Sequence, residues 1–334
     1  MNSKTIVIVG GGFAGTSLAT ALEKRLPEGW NATLISEESY TTFNPMLAEV
    51  VGAAVFPEHV IAPIREMLRS SRFVMGRLER VDTLRRMLTC ATLAGRLDFG
   101  YGHLVLAFGQ RANLAVIPGA TEHALPLKLV GDAMHIRNRV LQRLARIELS
   151  DDALERRALG RFVVIGGGFS GVEVAGSIAD FTRSALRYYP RVLPSELDLT
   201  LLHDGERLLP ELPARLGESA ARSLRARGVD VRLGARASRI DAHAVELQGG
   251  VLLPTATVIL TIGTRSNPLV QQLGLATTRG RIVTAPDGAV VGADGLWAMG
   301  DCAATPNAAD GQLCPPTAQF AVAQAAQLAA NLVA

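Results

Sequence analysis

The feature that most constrains the fold is an apolar strand, a glycine-rich turn and a helix that follow one another twice along the chain. The first copy carries the turn Gly10-Gly-Gly12-Phe13-Ala14-Gly15, and the second carries Gly166-Gly-Gly168-Phe-Ser-Gly171. Each turn follows a short apolar run, as expected of a buried parallel strand, and leads into a helical pattern and a second strand. The sequence therefore predicts an α/β fold with two Rossmann-like dinucleotide-binding domains.

The two copies predict matching secondary structure. The first predicts a helix from Phe13 to Arg25 and a strand over Ala32–Ile35, and the second predicts a helix from Gly171 to Tyr188 and a strand over Leu197–Leu202. The charged segment Leu129–Arg157 contains little glycine or proline, which predicts a single linker helix between the domains. A last helix is expected from Thr317 to the end of the sequence.

Each glycine of the motif has a physical task. The first, Gly10 or Gly166, makes the tight turn; the middle one, Gly12 or Gly168, lets a pyrophosphate approach the backbone; the third, Gly15 or Gly171, lets helix and strand pack closely. The first helix begins at Phe13, so Phe13 and Ala14 bring N–H groups and a partial positive charge to the phosphates. Two such motifs in one chain indicate a nicotinamide dinucleotide that gives hydride and a flavin that accepts it.

An acidic residue is expected about 20 positions after each motif, where it holds a ribose hydroxyl. In the first copy the second strand is followed by Ser36 and Glu37, and either side chain can make this bond. In the second copy the strand is followed by His203, Asp204 and Glu206, which are expected near the adenosine ribose of NADH or NADPH.

Two further strand ends contribute candidate cofactor residues. The apolar segment Gly102–Gly109 ends in Ala107-Phe-Gly109, and Leu296–Cys302 ends in Gly300-Asp301-Cys302. A strand that ends in Gly-Asp can direct its carboxylate at a ribityl hydroxyl while nearby backbone N–H groups meet a phosphate. These strand ends are therefore predicted to lie at the flavin.

Composition excludes several classes of function. The formal net charge is +3 and the basic residues are scattered, unlike a nucleic-acid-binding surface. Cys90, Cys302 and Cys314 form no CxxC pair and no metal-ligand spacing, so no metal is expected and a reducing compartment is favoured. The N-terminus enters the first strand directly, and no apolar run reaches the roughly 18 residues of a membrane-spanning helix. A cytoplasmic protein is expected.

Together these residues resemble the flavoproteins with two dinucleotide-binding domains, the pyridine-nucleotide-disulfide oxidoreductase-like proteins. Within that group the chain is most similar to type II NADH:quinone oxidoreductases, also called alternative NADH dehydrogenases. The similarity covers nearly the whole chain. It includes Val7–Gly15, Tyr40–Leu47, Leu104–Gly109, His123–Lys128, Val163–Glu173, Phe181–Glu196, Leu208–Pro210, Thr261–Gly263, Gly300–Ala303 and Pro315–Gln319.

The resemblance implies three-layer ββα domains, with the NAD(P)H domain inserted in the FAD domain. The FAD domain would comprise residues 1–115 and 265–334, and the NAD(P)H domain residues 116–264, including the linker helix 129–157. Electrons would pass from NADH through FAD to a quinone-type acceptor.

The resemblance also implies roles for single residues. Pro45 would lie near the isoalloxazine ring, and Asp301 would hold the ribityl or phosphate region. Glu173, near the nicotinamide and flavin, and Gln319, on the quinone-facing side, would be the catalytic residues. Gly263 would join the cofactor-binding residues.

Two positions depart from the family pattern. His203 stands where the family often has a carboxylate; Asp204 and Glu206 would still repel a 2′-phosphate and favour NADH, while Arg207 leaves NADPH open. The family has a second glutamine four positions after the residue equivalent to Gln319, whereas this chain has Ala323 there and a glutamine at 324.

Other functions fit the same motifs. A ferredoxin- or rubredoxin-type NAD(P)H reductase needs no cysteine pair, and a low-turnover flavin protein that senses redox state suits the altered glutamine pattern. Sulfur chemistry would need cysteines at the flavin, for which Cys302 and Cys314 are the candidates. A homodimer, and peripheral contact with the inner face of the cell membrane through a further C-terminal segment, are also compatible with the resemblance.

Overall fold

The computed structural model describes residues 4–333 of the chain. These residues form two compact units, each assembled from separate segments. Unit 1 contains the chain up to Thr42, Ile61–Arg111 and the chain from Arg265 onward, and unit 2 contains Phe43–Val60 and Ala112–Thr264.

The strands are numbered in chain order. They are β1 (Thr5–Val9), β2 (Asn31–Ser36), β3 (Tyr40–Thr42), β4 (Ile61–Pro63), β5 (Arg72–Asp82), β6 (Met87–Thr92), β7 (Gly95–Gly100), β8 (His103–Leu106), β9 (Arg111–Ala112), β10 (Ala124–Pro126), β11 (Arg161–Ile165), β12 (Asp198–Leu202), β13 (Val229–Arg232), β14 (Ala237–Ile240), β15 (Ala244–Leu247), β16 (Leu252–Pro254), β17 (Thr257–Leu260), β18 (Thr264–Arg265), β19 (Thr277–Thr278), β20 (Arg281–Val283), β21 (Leu296–Ala298) and β22 (Ala303–Ala304).

The helices follow the same order. They are α1 (Phe13–Leu22), α2 (Leu47–Val51), α3 (Ile64–Met67), α4 (Ala120–His123), α5 (Val130–Leu149), α6 (Ala153–Leu159), α7 (Phe169–Ala185), α8 (Ala214–Ala226), α9 (Leu269–Gln272) and α10 (Ala318–Asn331).

Unit 1 is built on a seven-stranded sheet in the order β21-β8-β1-β2-β5-β6-β7. The strands from β21 to β5 run parallel, and β5, β6 and β7 continue as an antiparallel meander. Side chains of β1 alternate between two cores: Ile6 and Ile8 pack with α1 and α10, while Val7 and Val9 pack with β6 and β20. Because both faces are covered, β1 is apolar and buried from Ile6 to Val9.

The last helix, α10, packs against α1. Its buried face consists of Ala321, Ala325, Leu328 and Ala329, which belong to the core of unit 1. Across residues 4–333, the structure contains no helix that is both long and apolar enough to cross a membrane.

Unit 2 is built on a parallel five-stranded sheet in the order β10-β17-β11-β12-β13. The antiparallel meander β14-β15-β16 packs on one face of this sheet, where it shares a core with Val163 and Ile165 of β11. Helix α7 packs against β11 and β12. The predicted α/β fold with two Rossmann-type units of three layers is confirmed.

The prediction of one linker helix over Leu129–Arg157 is wrong. The structure has two helices, α5 and α6, because the chain leaves the helix at Ser150 and starts again after Asp152. The Asp152 carboxylate caps the new helix by accepting the N–H of Leu154 at 2.8 Å. Helix α5 is also part of unit 2, where it packs against α2.

The segment Phe43–Val60 also differs from the predicted boundaries. It lies within residues 1–115 in sequence, yet it groups with unit 2 because α2 packs against α5 and α7. At Gly52, just after α2, a Cβ would lie 3.0 Å from the Cβ of Ser177, so a larger residue would push the helices apart. The chain therefore crosses from one unit to the other more often than the sequence predicted.

Candidate functional site

The first glycine turn requires glycine at two positions, and at a third it leaves free space beside the backbone. Gly10 has a φ of +124°, and a Cβ there would lie 2.2 Å from the carbonyl oxygen of Ala107. A Cβ on Gly15 would lie 1.9 Å from the carbonyl oxygen of Gly10, so α1 meets the turn too closely for any side chain. A Cβ on Gly12 would meet no atom of the described chain within 4 Å. The backbone at Gly12 is therefore accessible to a bulky ligand group.

The second glycine turn has the same geometry. Gly166 has a φ of +123°, and its Cβ would lie 2.5 Å from the Thr261 hydroxyl oxygen. A Cβ on Gly171 would lie 1.8 Å from the carbonyl oxygen of Gly166, whereas one on Gly168 would meet nothing within 4 Å in the part of the chain that the structure describes. The two turns, which differ at one of six positions, thus share one geometry.

Both open glycines stand at helix N-termini. Gly12 precedes α1 and Gly168 precedes α7, both with extended backbone, and within residues 4–333 no side chain accepts a hydrogen bond as a cap at either end. The first N–H groups of a helix lack intrahelical partners, and the helix dipole favours negative charge there. Each turn therefore fits a phosphate group.

The second strands of the two units end in equivalent positions. In each unit the N–H of the first motif glycine donates to the strand's carbonyl, that of Ile35 at 2.8 Å and that of Leu202 at 2.9 Å. The next residues, Ser36 and His203, are therefore structural counterparts. Both pack beneath the glycine turn: a Cβ on the turn's second glycine would lie 2.4 Å from the Ser36 hydroxyl oxygen or 2.5 Å from the His203 ring.

A carboxylate follows at the next position in each unit. Glu37 is exposed and forms an ion pair with Arg111. Asp204 is its counterpart, with 65% of its side chain exposed. Of the two candidates in unit 1, Glu37 thus has the accessible side chain, while Ser36 is buried. The Arg207 guanidinium donates to the Pro210 carbonyl at 2.8 Å.

Strands β8 of unit 1 and β17 of unit 2 also end in equivalent positions. The N–H of Ala107, just after β8, donates to the carbonyl of Val9 at 2.8 Å. The N–H of Thr261, just after β17, donates to the carbonyl of Ile165 at 3.0 Å. Two residues later, Gly109 and Gly263 have φ values of +63° and +76°. The internal repeat therefore extends from the glycine turns to a second pair of glycines at the carboxyl edge of each sheet.

In unit 1 the Gly300–Asp301 turn lies against the start of α1. Gly300 has a φ of +69°, and a Cβ there would lie 2.9 Å from the Cβ of Ala14. The predicted candidates Gly12, Ala14, Gly300 and Asp301 therefore lie at one end of the unit 1 sheet, where the carboxyl ends of parallel strands commonly hold ligands.

A small pocket in unit 2 contains the predicted residue Glu173, at the start of α7. Its lining consists of Asn44, Leu47, Ala48, Leu127, Lys128, Ser170 and Glu173. Pro45 adjoins this lining in sequence and is exposed. Glu173 is an exposed residue, yet partial desolvation of its carboxyl group, and secondly the charge of Glu49, raise its pKa. The pocket thus places a carboxyl group that holds its proton more strongly than usual beside the second glycine turn.

The comparison with known families identifies the chain. The sequence pattern of pyridine nucleotide-disulphide oxidoreductases matches residues 4–326. The chain belongs to the pyridine nucleotide-disulphide oxidoreductase family.

Two curated relatives extend this comparison. The chain is 30% identical to the external alternative NAD(P)H-ubiquinone oxidoreductase B2, mitochondrial, of Arabidopsis thaliana, over 90% of this chain and 54% of the relative. It is 27% identical to the type II NADH:quinone oxidoreductase Ndh of Mycobacterium tuberculosis, over 98% of this chain and 72% of the relative. The chain thus spans about half the length of the plant relative. The predicted resemblance to type II NADH:quinone oxidoreductases is confirmed.

A solved structure has the same fold. NDH2 from Plasmodium falciparum in complex with NADH superposes with a TM-score of 0.91 at 18% sequence identity, over 98% of this chain and 83% of that chain. At this identity the comparison supports the shared fold of the family.

The cysteines of this pyridine nucleotide-disulphide oxidoreductase do not form a redox pair. All three are free and buried. The Cys302 thiol donates to the carbonyls of Met299 and Leu106 at 3.1 and 3.2 Å, and burial raises its pKa to about 12. Burial likewise raises the pKa of Cys90 to about 12. Since the thiolate is the reactive form, these two thiols are inert near neutral pH.

Helix α10 carries both positions that the family resemblance singled out, Gln319 and Ala323. Gln319 is exposed in the first turn of α10, and Ala323 is exposed one turn later. Gln319 belongs to unit 1 and Glu173 to unit 2. Sequence reasoning missed two polar groups: Glu49, which influences Glu173, and the side chain of Gln324, which bonds to the Gly300 turn.

Proposed function

We propose that this chain is an FAD-dependent oxidoreductase that passes electrons from NADH through FAD to a quinone-type acceptor. The observation that carries the proposal is the pair of equivalent glycine turns, each open at its middle glycine and each followed by an exposed carboxylate. Two dinucleotide sites in one chain suit a nicotinamide donor and a flavin. The printed names of the Arabidopsis and Mycobacterium relatives support an NAD(P)H donor and a quinone acceptor.

We assign FAD to unit 1. The open backbone at Gly12 and the N-terminus of α1, from Phe13 to Gly15, fit the pyrophosphate. The exposed carboxylate of Glu37 would accept a hydrogen bond from the adenosine ribose, and Asp301 would hold the ribityl chain. The strand end at Ala107 and Gly109 would complete the lining. When bound, FAD supplies a ring that takes up two electrons and releases them singly or in pairs.

We assign NADH to unit 2. Gly166, Gly168 and Gly171 would receive its pyrophosphate, and Gly263 would lie at the neighbouring strand end. Asp204 takes the position of Glu37 in unit 1 and would accept from the adenosine ribose. An exposed carboxylate at this point repels a 2′-phosphate, which favours NADH over NADPH. The guanidinium of Arg207 donates to the protein backbone, so one of its donors is already used.

Glu173 is proposed to transfer a proton, and Gln319 is proposed to bind the electron acceptor. Reduction of a quinone consumes protons as well as electrons, so a carboxyl group with a raised pKa can supply one. Pro45 would lie near the flavin ring. Gln319, exposed at the start of α10, would donate from its amide to an acceptor oxygen.

An apolar quinone is met at a bilayer surface or through an apolar opening, so we propose a cytoplasmic protein that contacts the inner face of the cell membrane peripherally. The apolar face of α10 is packed in the core of unit 1 and does not supply the contact. Helices that lie in a bilayer interface combine a basic polar face with bulky anchors. Helix α10 has no basic residue, and its one aromatic side chain, Phe320, is only partly exposed. Recruitment of residues 1–334 to lipid is therefore expected to be weak.

Single methyl groups test the two cofactor assignments. Gly12→Ala and Gly168→Ala each add a Cβ that no atom of residues 4–333 approaches within 4 Å, so both variants should fold. Gly12→Ala should weaken FAD binding about tenfold or more, because the methyl enters the path of the pyrophosphate. Gly168→Ala should keep FAD but slow its reduction by NADH to a similar degree. Titration of the apoprotein with FAD and rapid-mixing reduction measure the two effects.

Gly131→Ala is the matched control, since its Cβ also meets nothing within 4 Å of the described residues but stands on the exposed side of α5. This variant should bind FAD and react with NADH like the parent protein. An FAD affinity of Gly12→Ala equal to that of the parent protein would contradict the assignment of FAD to unit 1. Parallel loss of FAD and of NADH reactivity in Gly168→Ala would contradict separate sites.

A further inference from the structure

The Gly300–Asp301 turn is bonded to helix α10 by one side chain. The side-chain oxygen Oε1 of Gln324 accepts the N–H of Gly300 at 2.8 Å. Gln324 is partly buried, and it lies one position beyond the exposed Ala323. The amide oxygen of this glutamine is thus committed to the protein backbone of unit 1.

This hydrogen bond holds Gly300, which is closely surrounded and has a left-handed backbone conformation. Gly300 has a φ of +69°, a conformation that favours glycine, and it begins the single 3-10 turn Gly300–Cys302. A Cβ on Gly300 would lie 2.9 Å from the Cβ of Ala14 and 3.8 Å from the Cβ of Ala321. Ala14 belongs to the first glycine turn and is the second residue of α1, and Ala321 precedes Gln324 on α10. The turn is therefore held between the starts of α1 and α10.

From this geometry we infer that Gln324 is a positioning residue for FAD: its amide fixes the Gly300–Asp301 turn against the start of α1, so that the turn and the first glycine motif hold the cofactor together. The inference rests on the proposed assignment of FAD to unit 1. Gln324 itself would touch no part of the cofactor. It would act through the backbone of Gly300, and hence on the direction of the Asp301 carboxylate.

The opposite side of the turn has its own support, which makes the inference testable. The Cys302 thiol bonds to Met299 and to Leu106 of β8 without help from α10. Removing the Gln324 bond should therefore leave the turn attached to the sheet while freeing its attachment to α10. Because a partly buried N–H that loses its partner is destabilising, the freed turn is expected to relax away from its present position.

Three variants separate positioning from simple packing. Gln324→Met keeps the length of the side chain but lacks the acceptor oxygen, and Gln324→Glu keeps an acceptor. Gln327→Met is the matched control on the same helix, since Gln327 is exposed and bonds only to Asn331, at 3.0 Å, among the hydrogen bonds of the described chain. The dissociation constant of FAD and the two-electron midpoint potential of the bound flavin are measured for each.

Gln324→Met should weaken FAD binding on the order of tenfold and shift the midpoint potential. Gln324→Glu should restore the affinity to within about threefold of the parent, and Gln327→Met should match the parent in both measurements. Parent-like affinity and potential in a folded Gln324→Met protein would overturn the inference. So would an equal loss in Gln324→Glu, because that result means that the acceptor oxygen is irrelevant.

Two further variants, Gln324→Asn and Gly12→Ala, complete the experiment. If Gln324→Met does not fold, Gln324→Asn is read by the same criteria, since its amide is one methylene too short to reach Gly300 in the present geometry. Gly12→Ala is measured in parallel. Loss of FAD in Gly12→Ala with full retention in the Gln324 variants would reject the role of Gln324 alone, whereas a parent protein that binds no FAD would reject the proposed function itself.

Discussion

The negative charge of Glu49 raises the pKa of the Glu173 carboxyl, adding to the larger effect of partial desolvation. Glu49 is on α2 and Glu173 on α7, two helices that pack closely near Gly52. The Oε2 atom of Glu49 is itself buried and has no hydrogen-bond partner within residues 4–333. One charged carboxylate in this position disfavours a second, so the pair favours a protonated Glu173.

Replacing Glu49 with glutamine removes this charge and should lower the pKa of Glu173. If Glu173 supplies a proton during turnover, the alkaline limb of the rate profile should move to lower pH in Glu49→Gln. The folded state favours the protonated form of Glu173, so its contribution to stability is lost as pH rises through the raised pKa. Glu49→Gln should therefore also reduce the loss of stability on that side. Rate profiles and thermal unfolding across pH measure both effects.

Glu58→Gln is the control for this experiment, because Glu58 is exposed in the same Phe43–Val60 segment. It should leave both profiles unchanged. A rate profile that stays fixed in Glu49→Gln would mean that the ionisation of Glu173 does not limit turnover.

The position of Asp204 makes a prediction about nucleotide choice. It is the counterpart of Glu37 and its side chain is largely exposed, so it can oppose a 2′-phosphate. Asp204→Asn should raise the NADPH-to-NADH ratio of kcat/KM by roughly tenfold, which corresponds to about 1.4 kcal/mol. Glu206→Asn, two positions later and also exposed, should change the ratio less. An unchanged ratio in Asp204→Asn, or a parent protein that prefers NADPH, would contradict this assignment.

His103 makes a prediction about pH and stability in unit 1. Its ring stacks on Trp30 at 5.7 Å, and the indole N–H of Trp297 donates to its Nδ1 at 3.1 Å. Burial, and secondly the charge of Arg86, lower the pKa of His103. The fold therefore favours the neutral ring, and stability should fall as pH decreases below the unfolded value of about 6.5.

Tryptophan fluorescence reports this transition directly, because the chain has two tryptophans and both contact His103. His103→Asn keeps an acceptor for the indole N–H but cannot titrate, so its unfolding temperature should depend less on pH between about 7.5 and 5 than that of the parent. His243→Asn, at an exposed position in unit 2, is the control. Equal pH dependence in parent and His103→Asn would show that other groups govern acid destabilisation.

The local parts of the fold were predictable from the sequence because they depend on short-range rules. Apolar strands followed by Gly10 and Gly166 specify the turns, and the structure gives both residues positive φ values. The break between α5 and α6 could also have been predicted, since Ser150-Asp151-Asp152 is typical of a helix N-terminus. It was missed because the sequence on both sides has a helical pattern.

The long-range parts were not predictable. Nothing local in Phe43–Val60 indicates that this segment packs with α5 and α7, because that choice depends on the shapes of distant helices. The partners of Glu173 and Gly300 were missed for the same reason: Glu49 and Gln324 approach them only through helix packing. The choice between Ser36 and Glu37 likewise needed the burial of each side chain.

The most direct test of the proposed electron path is anaerobic reduction of the FAD-loaded protein, followed through the flavin absorption in a rapid-mixing instrument. NADH should bleach the flavin quickly, and a short-chain, water-soluble quinone added next should restore the oxidised spectrum; Gly168→Ala should retain the flavin but bleach about tenfold more slowly. Slow bleaching of the parent protein by NADH, or reduced flavin that a small iron–sulfur protein reoxidises quickly and quinones do not, would contradict the account.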